Sequence, residues 1–246
     1  LLPAEIETRL STSFRFGPAI AEHATSILRL LGETLPLTGN PARQSVIGNI
    51  DKPTAILSRT NSRLIEELFT TIEAGGRPFV VGGTSEILSV ITAAEKLMAS
   101  QPVDSPLEFL GFADWGEVQA ASQMEGGQEL GRWVRLIDSY GPARLRSALE
   151  GLPKQEADAS IILSTGHKSK GREWPKVRLS DDFLLGMKTP KAGEPATPPT
   201  VAAEELRLLY VAATRGQDQI EVPPTLAAKL ESLIEAAGDK ADRAAA

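Results

Sequence analysis

Between residues 54 and 98 the chain switches hydrophobic period at short intervals, and this limits its fold more than any other feature. "TAILSR" (54–59) is a short apolar run with the length of a buried strand. Leu64, Ile65, Leu68, Phe69 and Ile72 then recur at helical spacing, with Asn61 placed to cap that helix and "AGG" ending it. "PFVV" (78–81) reads as a second strand and "GG" (82–83) as a turn. Ile87, Leu88, Ile91 and Leu97 mark a further helix over about 84–98. Strands that alternate with helices through short links must run parallel, with the helices covering the sheet. The expected fold class is therefore α/β.

The same grammar holds at both ends of the chain. "FGPAIAEHATSILRLLG" predicts a helix that opens at Pro18 and stops at Gly32. "ASIILST" (159–165) and "KVRLSDDF" (176–183) predict strands, "AAEELRLLYVAATR" (202–215) a helix, "QIEV" (219–222) a last strand, and the stretch from 224 an Ala-rich helix. From about 100 to 158 helices and loops follow one another without a strand, and Trp115, Trp133 and Tyr140 fall there. The predicted organisation is a discontinuous sheet domain, 1–98 with 159–246, interrupted by a small inserted helical subdomain, 99–158. "TPKAGEPATPPT" (189–200) holds four prolines and reads as an exposed loop.

Composition removes several function classes. With no cysteine, a disulfide scaffold, a cysteine zinc site and a thiol nucleophile are all excluded. Two histidines leave little for a histidine-based metal centre, and no metal site is predicted. No apolar run has the length of a membrane span, so no membrane partner and a cytoplasmic location are expected. The net charge of −6 argues against a globally basic nucleic-acid binder. Yet "GHKSKGREWPKVR" (166–178) carries Lys168, Lys170, Arg172, Lys176 and Arg178 against Glu173 alone. So concentrated a positive patch on an acidic chain points to an anionic ligand at that place.

Three segments bring basic residues to turns or helix ends: "TSFRFG" (12–17), "STGHKSKGREW" (164–174) and "EELRLLYVAATRG" (204–216). In a parallel sheet, loops from distant segments gather at one edge of the strands. Arg15 and Arg215 suit a phosphate, because guanidinium is planar, permanently charged and bidentate. Phe14 suits stacking on a base, and Glu173 can accept from a sugar hydroxyl. The sequence holds no G-x-x-x-x-G-K-[ST], so it reads as part of a nucleotide site without the phosphate-cradling loop.

In order and spacing these segments resemble the C-terminal motifs of superfamily-one DNA helicases of the UvrD/PcrA/Rep type. "SFRFGPAIAEHATSIL" is similar to the aromatic–Arg motif that opens the second motor domain. "STGHKSKGREW" is similar to T-x-H-x-[SA]-K-G-L-E-[FW], with Arg172 at the Leu position. "EELRLLYVAATRG" is similar to E-E-x-R-L-x-Y-V-A-x-T-R-A, with Gly216 at the last Ala. "SFRFG", with "DDF" soon after the basic loop, is most similar to the F-box DNA helicase branch.

The resemblance implies a RecA-like sheet and the C-terminal half of an ATP-dependent DNA helicase or translocase. It implies that Phe14, Gly171 and Glu173 meet the nucleotide, and that Arg15 and Arg215 act on the γ-phosphate, Arg215 as arginine finger. Thr165, His167, Lys170, Arg59 and Asn61 would meet single-stranded DNA. ATP would be the nucleotide, and Mg²⁺ would be held mainly by a first motor domain of the same polypeptide. Hydrolysis would require that domain, so this segment alone is expected to be inactive. Repair or recombination proteins would be further partners. The other reading is a non-catalytic, helicase-like module that binds DNA or protein.

Overall fold

The computed structural model describes residues 11–189 and 198–245. Among them are six strands and eight α-helices, and every described strand pairing is parallel. This is the α/β class that the alternating periods predict, and it agrees with the RecA-like sheet that the resemblance implies: parallel strands flanked by helices. The chain divides into two compact units, residues 1–57 with 169–246, and residues 58–168.

In the first unit, helix α1 (Pro18–Leu30) starts at a proline, whose missing N–H costs nothing in a first turn. Ile20, Ala24 and Ile27 are buried along one face. Strand β1 (Val46–Ile47) pairs with β6 (Gly216–Glu221), β6 with β5 (Trp174–Leu179), and β5 with β2 (Ala55–Ser58). Every residue of β2 is buried, which is why its sequence reads as an unbroken apolar run. Helix α7 (Ala203–Ala213) packs on α1 and against β5 and β6, and α8 (Pro224–Ala245) also covers α1. His23 of α1 is half-buried, and burial pushes its pKa below the ordinary value. Most of the proline-rich loop, 190–197, lies outside the described residues. Its flanks meet where Lys188 and Thr200 exchange backbone hydrogen bonds.

In the second unit, α2 is Asn61–Glu73, β3 Pro78–Val80, α3 Ser85–Met98 and β4 Ile161–Thr165, with β3 paired to β4. The cap of α2 differs from expectation. Thr60 is the N-cap, its hydroxyl accepting from Arg63 N at 3.1 Å, and Asn61 is the first helical residue. Both residue types cap well, and a shift of one position turns on which side chain faces the open N–H groups.

Residues 99–158 contain no strand among those described. They form α4 (Trp115–Ser122), α5 (Gln128–Tyr140), α6 (Pro142–Glu150) and two short 3-10 turns. Here α4 packs on α5, α5 on α2, and α6 on α3. Trp115, Trp133 and Trp174 are all buried, and Trp115 Nε1 donates to Asp138 Oδ1 at 2.8 Å. No helix among the described residues is long and apolar enough to cross a membrane.

Candidate functional site

All five residues expected at a nucleotide lie in the first unit. Arg15 sits on the segment entering α1, and backbone exchange holds that segment: Ser13 N donates to Thr38 O at 2.8 Å, and Asn40 N to Phe16 O at 2.9 Å. The two stretches touch at glycines. A Cβ on Gly39 would lie 2.4 Å from the Gly17 carbonyl, and one on Gly17 would lie 2.1 Å from Arg43 O. Only backbone-sized residues fit, and this contact fixes where Arg15 starts. Gly39→Ala is therefore expected to cost about 1–3 kcal/mol of stability by overpacking, measurable by denaturant titration. An unchanged midpoint would show that the loop yields freely.

Arg215 occupies the junction where α7 ends and β6 begins. Its main chain joins the sheet, with Trp174 N donating to Arg215 O at 3.0 Å. The residue is buried, at 9% exposure, and its guanidinium is held by three acceptors. Nε donates to Val211 O at 2.9 Å, Nη1 to Arg172 O at 3.1 Å, and Nη2 to Thr214 Oγ1 at 3.2 Å. The bond to Val211 satisfies a carbonyl in the last turn of α7, so Arg215 also serves as a helix C-terminal donor. Burial first, then the charge of Arg15, lowers the Arg215 pKa. A guanidinium nonetheless remains protonated in a protein.

Thr214 brings the two arginines together. Its carbonyl accepts from Arg15 Nη1 at 3.2 Å, while its hydroxyl accepts from Arg215 Nη2. Two like charges gathered this way favour an anion between or beside them. Glu173 is the acid paired with Arg15, its Oε2 accepting from Arg15 Nε at 2.5 Å. Phe14 is 80% exposed, so it is not a core residue, and its ring face is open to a planar ligand. Gly171 adopts φ 82 and turns the basic loop; Arg172 N donates to Ser169 O across that turn. The Arg172 acceptor for Arg215 is a carbonyl, which any residue would offer at the position where the motif has Leu. At Gly216 a Cβ would come 2.3 Å from Ile220 Cγ2, so glycine fits where the motif has Ala.

Of the residues expected at DNA, Arg59, Asn61, Thr165 and His167 lie in the second unit and Lys170 in the first. Thr165, the last residue of β4, is buried, and its hydroxyl accepts from Lys168 N at 3.3 Å. Gly166 N donates to Ser58 O at 2.8 Å, which fixes the start of the loop. His167 and Lys170 are exposed; Arg59 and Asn61 are half-buried.

Three contributors receive no role from the sequence. Thr214 and Glu205 fill the Thr and the second Glu of the motif E-E-x-R-L-x-Y-V-A-x-T-R-A, which marks them without saying what they touch. Glu86 looks like any acid in a helix first turn. Glu205 reads as a dipole complement, yet it is buried and accepts from Leu185 N at 3.1 Å, beside Leu184 at φ 60. As for Mg²⁺, no group of three or more carboxylate or imidazole side chains forms a cation cluster among the described residues. Glu173, the carboxylate at the arginine pair, is already matched to Arg15. These residues do not make a magnesium site, and no step below passes through the ion.

Residues 142–222 match the model of the UvrD-like helicase C-terminal domain. The chain is 27% identical to F-box DNA helicase protein 1 of Schizosaccharomyces pombe, over 92% of this chain and 28% of that protein. It is 26% identical to F-box DNA helicase 1 of Gallus gallus, over 94% of this chain and 24% of that protein. The chain thus spans about a quarter of the length of these relatives. Residues 142–222, in a chain of parallel α/β architecture, are thus similar to the UvrD-like helicase C-terminal domain, and nearly the whole chain is similar to two proteins named as DNA helicases.

Proposed function

We propose that the chain is the C-terminal half of an ATP-dependent DNA helicase or translocase motor. The observation that carries this reading is the meeting of Arg15 and Arg215 at Thr214, with Phe14 exposed beside them. Phe14 stacks on the adenine, and Glu173 accepts from a ribose hydroxyl. Arg15 and Arg215 oppose the charge that develops on the γ-phosphoryl group during transfer, where preorganised cations act most strongly. In the described state Arg15 and Glu173 satisfy each other, so nucleotide exchanges this ion pair for contacts of its own.

The phosphate-cradling loop is not in this sequence. A first motor domain supplies it, together with the ligands of Mg²⁺. Single-stranded DNA meets Arg59, Asn61, Thr165, His167 and Lys170. Residues 99–158 are an insert within a motor domain formed by 1–98 and 159–246, and repair or recombination proteins are further partners.

A non-catalytic module that grips DNA or protein is the second reading. One observation favours it: Nε, Nη1 and Nη2 of Arg215 all donate within the chain, as a purely structural arginine would. ATPase assays separate the two. The complete protein is expected to hydrolyse ATP with stimulation by single-stranded DNA, while these 246 residues alone show no turnover. Absence of turnover in the complete, folded, DNA-bound protein would decide for the module.

A further inference from the structure

The basic loop holds one lysine that the functional reading leaves unused, and it is tied to an acid. Lys168 Nζ lies 3.0 Å from Glu86 Oε1, and Asn61 Nδ2 donates to Glu86 Oε2 at 3.1 Å. All three residues belong to the second unit. The Lys168 stem lies over Gly82, where a Cβ would stand 2.9 Å from Lys168 Cδ. Gly82 sits at φ 81, so the turn both requires glycine and leaves room for the lysine. Hydrogen bonds from Lys168 and then Asn61 hold the Glu86 carboxyl below its ordinary pKa.

A carboxylate and a phosphodiester look alike to an ammonium and an amide: each offers two anionic oxygens that accept. Glu86 has a 57% exposed side chain, so a strand can reach the cluster from solvent. An ion pair that open is weak and readily exchanged.

We propose that Glu86 is an internal competitor for the nucleic-acid backbone, its carboxylate occupying donors of Lys168 and Asn61 that a strand phosphate takes on binding. This rests on the DNA-binding reading above and adds a residue that sets strand affinity. With Glu86 in place, Lys168 is already neutralised before the strand arrives. It then adds little to the counterion release that drives backbone binding.

The test is salt-dependent binding of a fluorescent oligothymidylate to the full chain. Glu86→Gln keeps the shape and removes the charge. It is expected to bind several-fold more tightly at low salt. The slope of log K against log salt should steepen by about 0.7, the value for one more phosphate contact on a single strand. In Glu86→Gln/Lys168→Gln the gain should vanish relative to Lys168→Gln alone. Equal or weaker binding by Glu86→Gln, with the wild type binding normally, would overturn the competitor role and leave the DNA reading standing. A gain that persists without Lys168 would also overturn it, since the effect would then be a general change of charge. A wild-type chain that binds no strand would overturn the DNA reading and this inference together.

Discussion

Arg215→Ala is expected to lower the DNA-stimulated ATPase turnover of the complete protein by about 10³–10⁵-fold, the range for loss of an arginine that stabilises phosphoryl transfer. The structure adds a second expected effect. Removing this side chain takes away its hydrogen bonds to Val211 O, Arg172 O and Thr214 Oγ1, in a place with little access to water, although Val211 O still accepts from Thr214 Oγ1 at 3.0 Å. Hydrogen bonds made by a charged group contribute about 1.5–3 kcal/mol each. The variant should therefore melt earlier as well as lose turnover, and the two effects need separate readouts.

Arg215→Lys helps to part them. It keeps a charge that can reach one acceptor but loses the planar fork that meets three. Turnover should stay near the level of the alanine variant, while the denaturation midpoint recovers part of the loss. Full turnover in a folded Arg215→Ala protein would rule out a catalytic role and leave only the helix-end function.

Trp133→Ala is expected to destabilise the second unit by about 3–5 kcal/mol, the usual cost of emptying a buried large aromatic site. Trp133 is 1% exposed in α5, and that helix packs on α2 as well as on α4 and α6. A loss of this size is a large fraction of the stability of a typical domain, about 5–15 kcal/mol. Hydrogen exchange reads where it falls. Protection should drop together in α2, α3, α4 and α5, because these helices share one core in the unit 58–168. If protection drops only within 99–158, the insert has its own core and unfolds independently of the helices it packs on.

Burial explains which parts of this fold were legible in the sequence. Strand β2 is buried at all its residues, so its apolar run stands out. The stripes of α1, α2 and α3 are legible because each buries one face and leaves the other wet. Strand β1 is not legible: Val46 and Ile47 are both exposed, and two residues make no pattern. Thr60 and Asn61 are adjacent residues of similar capping chemistry, which the sequence cannot rank.

The same distinction applies at the candidate site. Arg15, Glu173 and Arg215 sit in motifs whose residue order carries information. Thr214 joins the two arginines through its carbonyl as well as its hydroxyl, and a carbonyl has no residue identity to read. Its contact with Arg15 also spans 199 residues of sequence. Glu86 acquires its role only because the fold brings Lys168 and Asn61 to it.

The shortness of β1 has a consequence for life in a concentrated solution. It closes one end of the strand order in its unit, and an end strand offers unpaired N–H and C=O groups to any extended chain nearby. Two residues advance only about 7 Å along the sheet, too little to template a long ladder. The ladder ends with Gly48 N donating to Ile220 O at 2.9 Å, and the chain bends at that glycine. The exposed Val46 and Ile47 side chains therefore flank an edge that gives a foreign strand little length to grow on, which protects a parallel sheet from pairing with its own copies.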